Sequence, residues 1–303
     1  MDNYIAYYNG EWMPYNEVRI HPQDRGFTLG DVVFDVERTF NGKSFRMRQH
    51  INRLYRSLKY VRIDPGITAD SMLDLSEEAI SRNEHLRGPL GDYRINQWVT
   101  RGIGGAGNIG LADGTPAVCI NVLPLDFTRY ARAYENGQHG VISKTRSYPP
   151  EALDAKIKHH SRMNFNLATL EANDLDPGAW ALLLDMEGNL SEGTGYNYFL
   201  VKDGVIRTST DNSILQGVSR GMVFDLAHQL DIPVVEENLQ PYDLYTADEA
   251  FFASTSYCVL PMTVVDKRPI GDGVPGPITN QLLAAWSESV GLDIVDQAIK
   301  YAK

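Results

Sequence analysis

Apolar and polar positions alternate through the first forty residues. Ile5-Ala6-Tyr7-Tyr8 and Glu11-Trp12-Met13 flank Asn9-Gly10, and Val36–Phe40 and Lys43–Met47 flank Asn41-Gly42. An Asn-Gly pair between two such runs predicts a hairpin, because both turn residues adopt positive φ. Between the hairpins, His21–Asp31 carries Pro and Gly and reads as a loop leading into a strand at Val32–Glu37. The period then lengthens. Ile51, Leu54, Tyr55 and Leu58 predict a helix over His50–Val61, with Arg53 off the apolar face. A second helix is expected over about Ala69–Glu84, with Met72, Leu73, Leu75 and Ile80 inward. Tyr93–Arg101 and Ala117–Leu123 read as strands. The glycine-rich Gly102–Gly110 joins them as a surface loop or, alternatively, an active-site flap. It is not a dinucleotide fingerprint, since no helical pattern follows.

Leu123–Thr128 reads as a connector. The pattern divides the chain into a smaller N-terminal α+β domain (1–123), a connector (124–130) and a larger C-terminal domain (131–303). In the second half strands are expected around Gly140–Thr145, at the apolar run Ala179–Asp185, in a hairpin turning at Asp203-Gly204, and at Ala250–Ser254 and Val259–Val265. Ser213–Arg220 leads into a helix with Met222, Val223, Leu226 and Leu230 on one face. Gly276–Val290 forms a last helix with Ile278, Leu282, Leu283 and Trp286 inward. Strands and helices in runs, with many hairpins, predict α+β layers and not a doubly wound sheet.

Composition narrows the functional classes. The 303 residues carry a net charge of −11, which argues against nucleic acid or an anionic membrane as partner. Cys119 and Cys258 are too far apart for a disulfide framework or a zinc motif. No metal is expected. No apolar run reaches membrane-spanning length, and the first residues lack the basic and apolar regions of a signal peptide. A cytoplasmic location is the expectation.

Candidate chemistry gathers between Tyr148 and Asn197. Lys156, Lys158, His159, His160 and Arg162 place five basic groups within seven residues. A lysine that loses its proton through burial or a neighbouring cation can form a Schiff base with an aldehyde; otherwise it is a solvated charge. Glu192, followed by Gly193 and Gly195, can face a pyridine nitrogen, or be a turn residue. Gln216-Gly217-Val218-Ser219 opens a helix whose N-terminus suits a phosphate, although Ser219 also reads as a plain N-cap. Thr255-Ser256 between two strands adds hydroxyls, and Arg53 a counter-charge, unless these are an ordinary turn and a solvated arginine. As a set they fit pyridoxal 5′-phosphate.

With these motifs the chain resembles the class IV aminotransferases, the fold-type IV pyridoxal-phosphate enzymes. The resemblance is carried by GDVVFDVERTFNGKSFRMRQHINRL, VTRG at Val99–Gly102, IKHHSRMNFNLATLEA, NLSEGTGYNYFLVKDGVI, ILQGVSRG and GPIT, in the family's order. It implies a small N-terminal α/β sandwich domain and a larger C-terminal domain with a barrel-like sheet. It also implies a homodimer in which both subunits line each active site. The Schiff-base lysine would be Lys158, with Lys156 as rival. Glu192 would face the pyridine nitrogen and Leu215 would pack on the ring. Val218, Ser219, Thr255, Ser256 and Arg53 would hold the phosphate, and Arg162 would stand near the cofactor's phenolic oxygen. The implied reaction is a ping-pong transfer from an amine donor to a keto acid. Phe34-Asp35-Val36 and Tyr148–Asp154 look most like (R)-selective amine transaminases; branched-chain and D-amino-acid aminotransferases are the alternatives, with aminodeoxychorismate lyase behind them. Arg38 or Arg94 is expected to take the acceptor's carboxylate, and Phe34, Trp98 and Tyr196 to form an apolar wall.

Overall fold

The computed structural model describes residues 4–104 and 114–303. Most of the stretch read as loop or flap, Gly102–Gly110, lies outside the described residues. The chain forms two compact units, Met1–Leu125 with Ile157–Ser161, and Asp126–Lys156 with Arg162–Lys303.

The first unit contains β1 (Ile5–Tyr8), β2 (Glu11–Pro14), α1 (Arg25–Leu29), β3 (Val32–Phe40), β4 (Lys43–Ser44), α2 (Met47–Val61), α3 (Ala69–Asn83), β5 (Tyr93–Ile103) and β6 (Thr115–Pro124). Its antiparallel sheet runs β2-β1-β6-β5-β3-β4. Both Asn-Gly turns form as expected, with φ of 49° and 97° at Asn9-Gly10 and 51° and 77° at Asn41-Gly42. The apolar stripe of α2 is buried: Ile51, Leu54 and Leu58 are each at most 2% exposed, worth about 1.5–3 kcal/mol apiece. On α3, Met72 and Ile80 are buried as expected, but Ser76 and Ala79 take the inward places foreseen for Leu73 and Leu75, which are half-buried. Inside His21–Asp31, read as loop, α1 forms because the Asp24 side chain caps Gly26 N and Gly30 ends the helix at φ 69°. Arg53 also departs from expectation. It is 4% exposed, drawn inward by a carboxylate on β3.

The second unit contains α4 (Ala133–Asn136), β7 (Gln138–Ile142), α5 (Met163–Leu175), β8 (Trp180–Leu184), β9 (Leu190–Gly193), β10 (Asn197–Lys202), β11 (Val205–Ser209), α6 (Val218–Gln229), β12 (Val234–Glu237), α7 (Pro241–Tyr245), β13 (Glu249–Ser254), β14 (Cys258–Val265), β15 (Arg268–Pro269), α8 (Pro277–Val290) and α9 (Ile294–Tyr301). The sheet, ordered β12-β11-β10-β13-β14-β7-β8-β9, is mixed: β7 lies parallel to β14 and to β8. It curls into half a barrel. Asp203-Gly204 makes the foreseen turn between β10 and β11, at φ 52° and 76°. Glu249 on β13 accepts from Ile278 N and Thr279 N and so caps α8. Thr279 is therefore buried, while Ile278 is half-buried. Both cysteines are buried free thiols. The architecture is α+β, and no described helix is long and apolar enough to cross a membrane.

Candidate active site

The first unit positions the lysine through a short strand-like addition. Phe34 N donates to Lys158 O at 2.9 Å and His160 N to Val32 O at 3.1 Å, so residues 158–160 run antiparallel to the start of β3. From α2, Ser57 Oγ accepts from Lys158 N at 3.2 Å. Ser161 Oγ donates to Gly30 O, closing the segment on α1. Lys158 is half-buried, with Nζ 4.8 Å from the centre of the Phe34 ring. The rival, Lys156, sits in the second unit and pairs with Asp154 at 3.7 Å.

Behind Phe34, on the opposite face of β3, stands Asp35. Arg53 donates Nε to Asp35 Oδ2 at 2.8 Å and its NH2 nitrogen to Oδ1 at 2.7 Å. His50 Nδ1 lies 2.8 Å from the same Oδ1. Burial alone would raise the Asp35 carboxyl; the charges of Arg53 and His50 outweigh it and hold the group well below the usual carboxylate range. His50 is pushed down by burial and by the charges of Arg53 and Lys158, against the pull of Asp35. A neutral imidazole facing an ionised carboxylate carries its hydrogen on Nδ1. In the sequence Asp35 stands out only within the Phe34-Asp35-Val36 motif, and His50 only as the start of a helix. The signal was present, since His50 and Arg53 are three apart on one helix and share a face.

Phe34 and Trp98 are cross-strand partners on β3 and β5 and share one face, as do Arg38 and Arg94. Trp98 is 9% exposed. With Tyr15, Val18, Ile20, Phe27 and Val32 it lines a cavity of about 500 Å³ within this unit. The two arginines differ. Arg38 is 1% exposed, donates Nε to Thr39 O, lies 3.5 Å from Asp92 and covers the Phe40 ring. Its charge is already paired inside the unit. Arg94 is exposed.

Within the second unit, Glu192 stands on β9. It is 6% exposed, and its Oε2 accepts from Leu215 N at 3.0 Å. Asn197 Nδ2 from β10 donates to Leu215 O at 3.0 Å, so residue 215 is pinned at both ends of its backbone. Arg162, at the start of α5, donates to Thr194 O and lies over the Phe165 ring. Burial lowers its guanidinium's pKa and Glu192 opposes that. The N-cap of α6 is Gly217, without a side-chain cap, and not Ser219, which lies buried in the first turn. A Cβ on Gly217 would come within 2.2 Å of Asn197 Oδ1. Only glycine lets the chain pass there. Thr255 and Ser256 sit half-buried between β13 and β14, where Tyr130 OH donates to Ser256 O. Tyr196, expected in an apolar wall, is half-buried, stacks on Trp180 and donates to Ala181 O.

The donor chemistry suits pyridoxal 5′-phosphate. The first-turn amides of α6, at Val218 and Ser219, have no intrahelical acceptor, the setting an anion needs. A buried carboxylate anchored by one backbone N–H is a partner for a protonated ring nitrogen.

Comparison with known proteins agrees in kind. The family model described as Amino-transferase class IV matches residues 32–265. A Methanocaldococcus jannaschii protein named “Putative branched-chain-amino-acid aminotransferase” is 35% identical over 277 residues, 91% of this chain and 93% of its own. D-alanine aminotransferase of Staphylococcus haemolyticus is 28% identical over 94% of this chain and 97% of its own. Among solved structures, Escherichia coli branched-chain amino acid aminotransferase superposes with a TM-score of 0.85 at 27% identity, covering 95% and 94% of the two chains. The T.th. branched-chain amino acid aminotransferase complexed with N-(5′-phosphopyridoxyl)-L-glutamate gives 0.84 at 27% identity, covering 95% and 94%.

Proposed function

Since the chain belongs to the class IV aminotransferases and has their fold-type IV architecture, we propose that it transfers an amino group from an amine to a keto acid with Lys158 as its catalytic residue. The observation that carries this reading is the tethering of Lys158 by Phe34 N and Ser57 Oγ, which fixes the backbone of a lysine that stays only half-buried.

When bound, pyridoxal 5′-phosphate supplies an aldehyde for a lysine amine and a ring that takes up electrons from the donor's carbon. In this reading Lys158 Nζ moves the proton at the donor's amine-bearing carbon, as general base in one half-reaction and general acid in the other. Glu192 holds the ring nitrogen's proton, and Leu215 N–H keeps that carboxylate aimed. Val218 and Ser219 amides, the Thr255 and Ser256 hydroxyls and Arg53 hold the phosphate. Arg162 is assigned to the phenolic oxygen. The reading also makes the enzyme a cytoplasmic homodimer with shared pockets, for which sedimentation of the purified protein is the direct check.

For the donor, the apolar cavity beside Trp98 favours a hydrophobic amine, and the likeness of Phe34-Asp35-Val36 and Tyr148–Asp154 to (R)-selective amine transaminases favours the (R) configuration; the burial of Arg38 leaves Arg94 to meet the acceptor's carboxylate. A second reading, a branched-chain or D-amino acid donor, is favoured by the names of the relatives. Both (R)- and (S)-1-phenylethylamine, L-leucine and D-alanine, each paired with pyruvate and 2-oxoglutarate, separate the two. The first reading expects turnover of the (R)-amine; turnover of L-leucine alone overturns it. A keto-acid-dependent return of the cofactor to its aldehyde form excludes a lyase.

A further inference from the structure

The face of β3 turned away from Phe34 carries a second carboxyl that the transfer reaction does not use. Glu37 is completely buried, and neither of its carboxyl oxygens has a hydrogen-bond partner. Gln97 lies on the same face of the sheet, paired with Asp35 on β3, and is also fully buried. Its Nε2 donates to Ser76 Oγ at 2.9 Å, and Ser76 Oγ donates to Met72 O at 2.7 Å. Gln97 Oε1 has no partner. Turning the Gln97 amide alone does not supply its oxygen with a donor while the Ser76 hydroxyl gives its hydrogen to Met72 O; amide and hydroxyl would have to turn together, which would set Gln97 Nε2 against an ionised Glu37 and is the arrangement the infrared test below separates. Two neighbouring groups thus hold buried acceptors that lack a hydrogen, which is unfavourable for each of them.

We propose that Glu37 is held as a neutral carboxylic acid whose O–H donates to Gln97 Oε1, and that in this form it is a positioning residue for Arg53. One proton then completes an unbroken chain, Glu37 to Gln97 to Ser76 to the Met72 carbonyl. The groups around it agree. Asp35 on β3 and His50 and Arg53 on α2 are its titratable neighbours, with the charge of Lys158 felt at His50; α3 offers Ser76 and β5 offers Gln97, neither of which titrates. Burial, then the charge of Asp35, pushes the Glu37 carboxyl well above the carboxylate range. A cation is the other species able to meet these oxygens, since ligand atoms of Asp35, Glu37 and His50 lie within 4.8 Å of one another. The Arg53 fork, already on both Asp35 oxygens, opposes it by charge.

The proton matters for Arg53 because it leaves Asp35 as the one anion on β3 facing that guanidinium. An ionised Glu37 would add a second, competing with an external phosphate for the same positive charge. This consequence rests on the reading that Arg53 helps hold the cofactor phosphate.

Infrared difference spectra of the holoenzyme and of the cofactor-free protein, wild type against Glu37→Gln, test the proton. Pyridoxal 5′-phosphate retention from neutral to alkaline pH tests the positioning role. The expected result is a protonated-carboxyl band in wild type at neutral pH, with or without cofactor, that is missing from Glu37→Gln. Where rising pH removes that band, wild-type retention should weaken about tenfold, as for a new like charge beside a bound anion, and Glu37→Gln should show no such step. If the band persists throughout, retention should be flat in both. A missing band at neutral pH, or a divalent ion found by elemental analysis, overturns the proposal. A retention step shared by Glu37→Gln, or one without loss of the band, overturns the positioning role. Glu37→Leu is the carboxyl-free reference should the Gln variant not fold. Failure of the cofactor reading looks different: the band remains and no pyridoxal 5′-phosphate binds at any pH.

Discussion

Asp35 and Arg53 meet as a two-bonded fork inside the first unit, Nε to Oδ2 at 2.8 Å and the NH2 nitrogen to Oδ1 at 2.7 Å, with Asp35 completely buried. Such a pair is costly to break from one side, because the remaining charge is left buried without its partner. Asp35→Asn is therefore expected to lose about 3–5 kcal/mol at neutral pH. Because the folded carboxyl lies below its unfolded value of 3.8, its contribution is complete above that pH and drains away as pH falls further. Denaturant midpoints measured from neutral to acid pH should converge for wild type and Asp35→Asn in acid. Parallel curves would count against the pair as the source.

Lys158 is the residue on which the activity reading stands or falls. Lys158→Ala should fold, yet carry no pyridoxyl adduct after borohydride reduction, and should lose transfer by about 10²–10⁴-fold. Lys156→Ala should keep both, since Lys156 pairs with Asp154 in the other unit. Mass spectrometry of reduced, digested protein decides it; an adduct on Lys156 would reverse the assignment.

Gly217 is sterically required and not conformationally required. Its φ of −64° suits any residue, but a Cβ would lie 2.2 Å from Asn197 Oδ1. Gly217→Ala should cost about 1–3 kcal/mol through overpacking and weaken pyridoxal 5′-phosphate binding by disturbing the first turn of α6. Asn197→Ala removes the obstacle along with the bond to Leu215 O. The double variant should thus be damaged less than the sum of the singles. Additive losses in a thermal-shift cycle would show that the clash is relieved elsewhere.

The two arginines paired across β3 and β5 should separate cleanly. Arg94→Ala is expected to raise KM for the keto acid about tenfold, the effect of one lost charge-assisted contact, with little change in Tm. Arg38→Ala should instead lower stability by about 3 kcal/mol, because it leaves the Asp92 carboxylate buried without its cation. Stopped-flow half-reactions with pyruvate and 2-oxoglutarate that do not change in Arg94→Ala would place the carboxylate elsewhere.

What the chain determined by itself is local. Asn9-Gly10, Asn41-Gly42 and Asp203-Gly204 make their turns because those residues tolerate positive φ wherever they stand. Ile51, Leu54 and Leu58 bury one face of α2 because the helical period brings them together. The α+β class follows from the order of such elements. The short helix α1 was concealed by the Pro and Gly around it, although its cap, Asp24, is a local signal too. Tertiary structure alone decided the rest. Arg53, read off the apolar face of its helix, is buried because a carboxylate eighteen positions earlier lies on the strand that α2 covers. Lys158 gains its place from Phe34 and Ser57, the latter 101 positions away. The state of Glu37 depends on Gln97 and Ser76, which belong to two other elements. Turn and helix preferences act within a few residues, whereas the pairing of buried charge depends on which strand lies under which helix, and no short window of sequence contains both.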